Sequence, residues 1–257
     1  MSKQPKLVLR ESAVFDLSRD WPPGQFVEMG AGTGYMSRLF LQRGFSGACH
    51  DLGEDSREMI RSNLAAYGDS ARVVDNVDEL ADETFDYLFA FEVLEHIEAD
   101  LAVLRQWMRK LRPGGRVLVS VPAHMRKYGR SDELVGHVRR YERSELHALL
   151  EQSGVGDIRI VNYGFPVTEL TRRVSNRIVR DDHTFDALSA EQRSIRSAQG
   201  KPKAINRALS LVSGNIVKPF CMVQRWFYRF DLGDGLIASG TKFSGQPDSD
   251  RSGPAIR

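Results

Sequence analysis

Cysteine is nearly absent. The chain has two, Cys49 and Cys221, far apart and each among apolar neighbours. That excludes a disulfide framework and a cysteine-built zinc knuckle, and it suits a reducing compartment. No uninterrupted apolar stretch approaches the ~20 residues of a membrane-spanning helix. The opening residues, MSKQPKLVLRESAVFDL, lack the apolar core and small-residue site of a secretory signal. Charge of one sign is not in excess either: 36 Lys and Arg face 34 Asp and Glu, a net +2, which gives nucleic acid no support as a partner. The expected location is the cytoplasm, at most peripheral to a membrane. A length of 257 residues leaves room for one large α/β domain with a sizeable insertion.

What is present is concentrated in FVEMGAGTGYMSRLFLQR, Phe26 to Arg43. Phe26, Val27 and Met29 read as a buried strand, and Met36, Leu39 and Phe40 as one side of a helix. Between them stand Gly30, Gly32 and Gly34. Strand, glycine turn and helix open a Rossmann-type unit, in which a ligand approaches the backbone closely. The spacing is G-x-G-x-G, not the G-x-G-x-x-G of a dinucleotide site, and Glu28 precedes the first glycine by two. A carboxylate there would repel phosphate and suit a cationic ligand such as an amino-acid ammonium.

The stretch resembles the first motif of class I S-adenosylmethionine (SAM)-dependent methyltransferases, E/D-x-G-x-G-x-G. A second block, FDYLFAFEVLEHI followed by LRPGGRVLVSVP, resembles the fourth and fifth motifs of the same superfamily, and the blocks together cover about 26–122 in order. The resemblance implies SAM as methyl donor, held by Glu28, Gly30, Ala31, Gly32, Gly34, Phe91 and Glu92. Asp51 lies about twenty residues after the glycines at the end of a second strand, where a Rossmann acid meets ribose hydroxyls. Asp75, at the end of a third strand, is placed for the adenine amino group. Alternating strands and helices predict a Rossmann-like, seven-stranded, mostly parallel sheet with helices on both faces. Its ligand cleft lies at the carboxyl ends of the strands.

Two polar stretches carry the candidate acceptor chemistry. Glu92, Glu95 and His96 fall at i, i+3 and i+4 of one helical turn. With the distant His137 they resemble the E-x-x-E-H…H set of metal-dependent O-methyltransferases, among them small-RNA 2′-O-methyltransferases; ubiquinone-pathway O-methyltransferases share the E-x-x-E-H portion. That resemblance implies magnesium or zinc on Glu92, Glu95, His96 and His137, lowering the pKa of the acceptor oxygen. The metal-free alternative is alignment of acceptor and sulfonium, with a general base among His96, His124 and His137. The second stretch, His124 to Tyr141, reads as a long polar loop. Tyr128, Arg139, Arg140 and Tyr141 are its candidates for anchoring an anionic acceptor, or they pair with Asp132 and Glu133 and hold the loop.

The expected organisation is a SAM-binding core over 1–163, a helical cap over 164–230 inserted before the last strand, that strand over 231–243, and a flexible tail over 244–257. The insertion carries twelve basic side chains against five acidic ones, with apolar residues at helical spacing between arginines. Three readings stand for it: a lid packed on the core, a platform for an anionic acceptor or anionic membrane, and a nucleic-acid surface. No nucleic-acid-binding module accompanies the third. The expected function is SAM-dependent O-methylation of a small-molecule or lipid- or sugar-linked metabolite. The alternatives are an RNA 2′-O-methyltransferase and a SAM-binding partner subunit without chemistry.

Overall fold

The computed structural model describes residues 4–178, 193 and 214–243. Expectations for the middle of the insertion and for the tail lie outside the described residues.

Helix α1 (Pro5–Ser18) starts with proline at its first position, where a missing N–H costs nothing. The chain then alternates: β1 (Gln25–Met29), α2 (Tyr35–Leu41), β2 (Ser46–His50), α3 (Glu54–Leu64), β3 (Ala71–Val74), β4 (Phe85–Phe91), α4 (Asp100–Met108) and β5 (Leu111–Pro122). Acids at the first turn of α3, Glu54 and Asp55, face the positive end of its dipole. Then come α5 (Arg130–Val135), α6 (Arg143–Gln152), β6 (Val155–Tyr163) and α7 (Val167–Ile178). Later in the insertion lie α8 (Gly214–Val223) and a 3-10 turn over Gln224–Phe227, and after it β7 (Gly235–Lys242).

The seven strands form one sheet in the order β3-β2-β1-β4-β5-β7-β6. The first five run parallel. The last strand in sequence slots antiparallel between β5 and β6, pairing Val119 with Ala238 on one side and Val161 with Ile237 on the other. Side chains alternate across the sheet as period-two geometry requires. Val27, Leu88, Val117 and Val119 point to α4 and α6, and Phe26, Phe89, Leu118 and Ile237 to α1, α2 and α8. Each face buries its own core, the arrangement that a parallel sheet demands.

Helix α1 lies on a face of the sheet: Leu9, Ala13, Val14 and Leu17 are buried with Phe26 and Phe40. Their i, i+4, i+5, i+8 spacing is a face-packing stripe. The stretch His124 to Tyr141 is not an open loop. It contains a 3-10 turn and α5, and His124, Asp132, Arg140 and Tyr141 are buried in it.

Candidate active site

The turn after β1 fixes the site's floor. Gly30, Gly32 and Gly34 all take positive φ, a backbone region that favours glycine. At Gly30 a Cβ would also stand 2.5 Å from Val93, whereas at Gly32 the same space is empty. The chain backbone is therefore open to a ligand at Gly32. Its N–H donates to Asp51 Oδ2 at 2.8 Å, which locks the end of β2 to the turn. Ala31 N–H donates to the carbonyl of His50 at 2.9 Å, a second tie between the same two strand ends.

A cavity of about 800 Å³ opens above this turn. One end is lined by Glu28, Gly30, Ala31, Gly32 and Asp51, with Phe91, Glu92 and Val93 along one wall. The other end is lined by His96, Ser131, His137, Arg140, Thr168 and Arg172. Most of the predicted cofactor residues and two of the three predicted histidines thus share one space, at the carboxyl ends of β1, β2 and β4.

The cofactor end fits a SAM-like molecule on two counts: the uncovered backbone at Gly32 and two buried carboxyl groups, Glu28 and Asp51. Burial pushes the Glu28 carboxyl up to about 7, against the opposing hydrogen bond from Ser37. A cation beside it would restore the carboxylate. Gly34 does not line the cavity; it starts α2, packed against Leu64 and Ile60. Asp75 is a correction. It sits past the edge strand β3, mostly exposed, paired with Arg61 at 2.7 Å and Arg57 at 3.2 Å, outside the cavity.

Glu92 ends β4 with φ +58. Lys6 of α1 donates to its Oε2 at 2.6 Å, Ser120 to its Oε1 at 3.2 Å, and Arg10 lies 3.8 Å away. Burial alone would raise this carboxyl, but Lys6 and then Arg10 outweigh it and hold Glu92 far below the usual carboxylate range. Glu92 is therefore spent on a cation from its own chain, and the expected four-residue metal set loses it. The other three converge: one ligand atom from each of Glu95, His96 and His137 lies within 4.8 Å of the others. Glu95 is fully buried, and neither carboxyl oxygen has a hydrogen-bond partner. Burial, then the nearby Glu92 charge, drives its carboxyl well up toward the neutral form.

The histidines separate by surroundings. His96 Nδ1 lies 3.1 Å from the carbonyl of Gly136, which only accepts, so Nδ1 carries the proton and Nε2 keeps its lone pair. Burial, then the neighbouring His137, lowers it to about 4. His137 Nδ1 is 2.8 Å from Asp132. His124 is a correction: it is fully buried outside the cavity, its Nδ1 2.8 Å from Glu142. Tyr128, Arg139 and Tyr141 are also outside. Tyr128 donates to the carbonyl of His137 at 2.7 Å, while Arg139 and Tyr141 both bind Asp100, at 2.9 and 2.7 Å. Arg140 alone of the predicted acceptor anchors reaches the cavity, clamped between Asp132 and Asp234, each at 2.9 Å. Sequence reading missed Lys6, Arg10, Thr168 and Arg172. The first two stand at i, i+4 beside the apolar stripe of α1, a legible signal. Thr168 and Arg172 are brought in only by tertiary packing of α7.

The family described as methyltransferase domain matches residues 6–158. The chain belongs to this methyltransferase family, within the class I SAM-dependent superfamily. The match runs from α1 into the start of β6 and takes in the cavity residues from Lys6 to Arg140, but not those of α7. Among curated proteins, the chain is 29% identical over 101 residues to the ubiquinone biosynthesis O-methyltransferase of Idiomarina loihiensis, covering 37% of this chain and 40% of that one. It is 30% identical over 103 residues to the malonyl-[acyl-carrier protein] O-methyltransferase of Methylococcus capsulatus, covering 38% of each. The chain thus matches about two fifths of these relatives' length. Among solved structures it resembles the phosphoethanolamine N-methyltransferase 2 of Haemonchus contortus in complex with SAM. The TM-score is 0.57 and the identity 18%, with 91% of this chain and 52% of that one covered. That likeness is one of fold.

Proposed function

We propose that this protein transfers the methyl group of SAM to an oxygen of a small-molecule or lipid- or sugar-linked metabolite. The observation that carries the reading is the shared cavity. It holds Glu28, Gly32 and Asp51 at one end and the unprotonated Nε2 of His96 at the other. The named relatives that methylate oxygen support the choice of atom.

When bound, SAM supplies an electrophilic methyl on a positively charged sulfur. Asp51 would accept hydrogen bonds from its ribose hydroxyls, Glu28 would face its ammonium, and the uncovered backbone at Gly32 would let it approach closely. The rest of the cavity would hold the acceptor. Positioning of this kind supplies much of the acceleration. For a hydroxyl acceptor, the new C–O bond would form as the methyl–sulfur bond breaks and S-adenosylhomocysteine leaves, and His96 Nε2 would take the hydroxyl proton. Lys6 and Arg10 keep Glu92 ionised and occupied, so it neither competes for that proton nor repels the acceptor.

Calorimetric titration of SAM, followed by turnover assays against phenolic, carboxylate and hydroxyl acceptors, tests the reading. Saturable binding that Asp51→Ala weakens at least about tenfold, with S-adenosylhomocysteine formed on an oxygen acceptor, supports it. Binding without turnover on any acceptor favours the partner-subunit alternative, and methylation of an RNA oligonucleotide favours the nucleic-acid alternative.

A second reading rests on the Glu95 carboxyl, which accepts no hydrogen bond and lies 3.6 Å from His137 Nε2. Glu95, His96 and His137 together would hold one divalent ion, and a two-imidazole set suits zinc better than magnesium. The ion would activate the acceptor oxygen in place of the His96 base. Titration with zinc alone separates the two: saturable binding lost in Glu95→Gln supports the metal, and chelator-insensitive turnover removes it.

A further inference from the structure

Helix α7 is polar toward the cavity and carries both apolar and basic residues toward solvent. Thr168, Thr171, Arg172 and Ser175 line the cavity. The opposite face presents Leu170 (67% exposed), Arg173, Val174 and Arg177. A surface helix ordinarily turns its apolar residues inward.

Helix α8 and the turn after it have an apolar inner side but share the outward mixture of apolar and basic residues. Val217 and Gln224 are buried, and Phe220 and Cys221 half-buried, on the side that meets α1 and the sheet. The outward side carries Ile216, Pro219, Met222 and Trp226, with Trp226 75% exposed. Lys218, Arg225 and Arg229 flank them, all exposed. Gly214 to Phe230 contains no acidic residue. Arg225 is held by Asp16 at 2.6 and 2.8 Å. Lys218 and Arg229 have no ion-pair partner among the described residues. The nearest acid in sequence, Asp231, is taken by Arg143 at 2.8 Å.

We infer that the outward faces of α7 and α8 are a docking surface for an anionic bilayer. A protein partner or a second copy would ask for an apolar centre with charge excluded from it. Here basic side chains stand among the apolar ones on both helices, and all carry one sign. Long cationic side chains reach phosphates while their stems and the apolar residues enter the headgroup boundary, where tryptophan is favoured. Both helices pack against α1. The inner face of α7 lines the acceptor end of the cavity, so docking would bring an amphipathic acceptor's headgroup to that end. The surface stands independently of methyl transfer, because vesicle binding is read without SAM.

The test uses the full chain and vesicles of phosphatidylcholine with or without about one third phosphatidylglycerol, at low and high salt. Co-sedimentation is expected with the anionic vesicles only, and it falls steeply with salt. Tryptophan emission shifts blue on binding. Trp107 is already buried and Trp21 is stacked on Tyr87 at 5.1 Å, so the shift reports Trp226 and is lost in Trp226→Phe. Lys218→Glu with Arg229→Glu lowers vesicle partition by about tenfold or more, with SAM binding unchanged as the folding control. Absence of binding, equal binding to neutral vesicles, or acrylamide protection of Trp226 without vesicles each overturns the inference. So does a concentration-dependent dimer that buries Trp226.

Discussion

Glu28 is a carboxyl held where water cannot reach it, with Ser37 as its hydrogen-bond partner. Its folded value, about 7, lies above the ordinary carboxylate range. The folded ligand-free protein therefore holds a proton that the unfolded chain releases between about pH 4.5 and 7. Stability from this group is full below that window and is lost as pH rises through 7. Glu28→Gln, which needs no proton, should melt higher than the parent at pH 8. The difference is on the order of 3 kcal/mol, shrinking toward zero at pH 5; differential scanning calorimetry across pH reads it. A cationic ligand reverses the sign of its effect on this group, so SAM affinity should rise with pH through 7 and its binding should release a proton. Isothermal calorimetry in buffers of different ionisation enthalpy measures that release. Glu28, Gly32 and Asp51 were legible in the sequence because strand-end geometry dictates where they go. Asp75 was not: its pairing with Arg57 and Arg61 depends on how α3 lies beside β3, which no local spacing encodes.

The sheet and its two helical layers followed from local pattern, because period-two strands and amphipathic helices alternate from Phe26 to Val121. The part played by α1 did not follow. Its Lys6 crosses 86 positions of sequence to reach Glu92, and only the packing of Leu9 and Ala13 on the sheet makes that meeting possible. Removing the ammonium leaves a partly buried anion with Arg10 at 3.8 Å as its remaining cation. Lys6→Ala should cost on the order of 2–4 kcal/mol, and Glu92→Gln in the same chain should recover more than half. Urea denaturation of the four-variant cycle measures the coupling. On the same face Phe89 stacks between Phe40, at 4.2 Å, and Phe26, at 5.3 Å, with no exposure of its own. Phe89→Ala should cost about 3–5 kcal/mol, read the same way, because three strands and α2 cannot all close on the gap.

At the scale of the molecule, the cavity is walled by segments far apart in the chain: α1, the β1 and β4 ends, α5 and α7. A ligand that touches all of them ties them together. SAM at about a hundred times its dissociation constant should add about 2.7 kcal/mol to global stability. Asp51→Ala should abolish most of the accompanying rise in Tm, measured by thermal shift. The placement of β7 bears on how the molecule is made. Strands β5 and β6 each wait for Gly235–Lys242, the last strand among the described residues, to fill the slot between them. While the ribosome is still adding the insertion, both strands present open hydrogen-bonding edges, and the nascent chain is at its most adhesive then. The time spent translating those 67 residues is the interval in which a chaperone, or the membrane itself, has the most to offer.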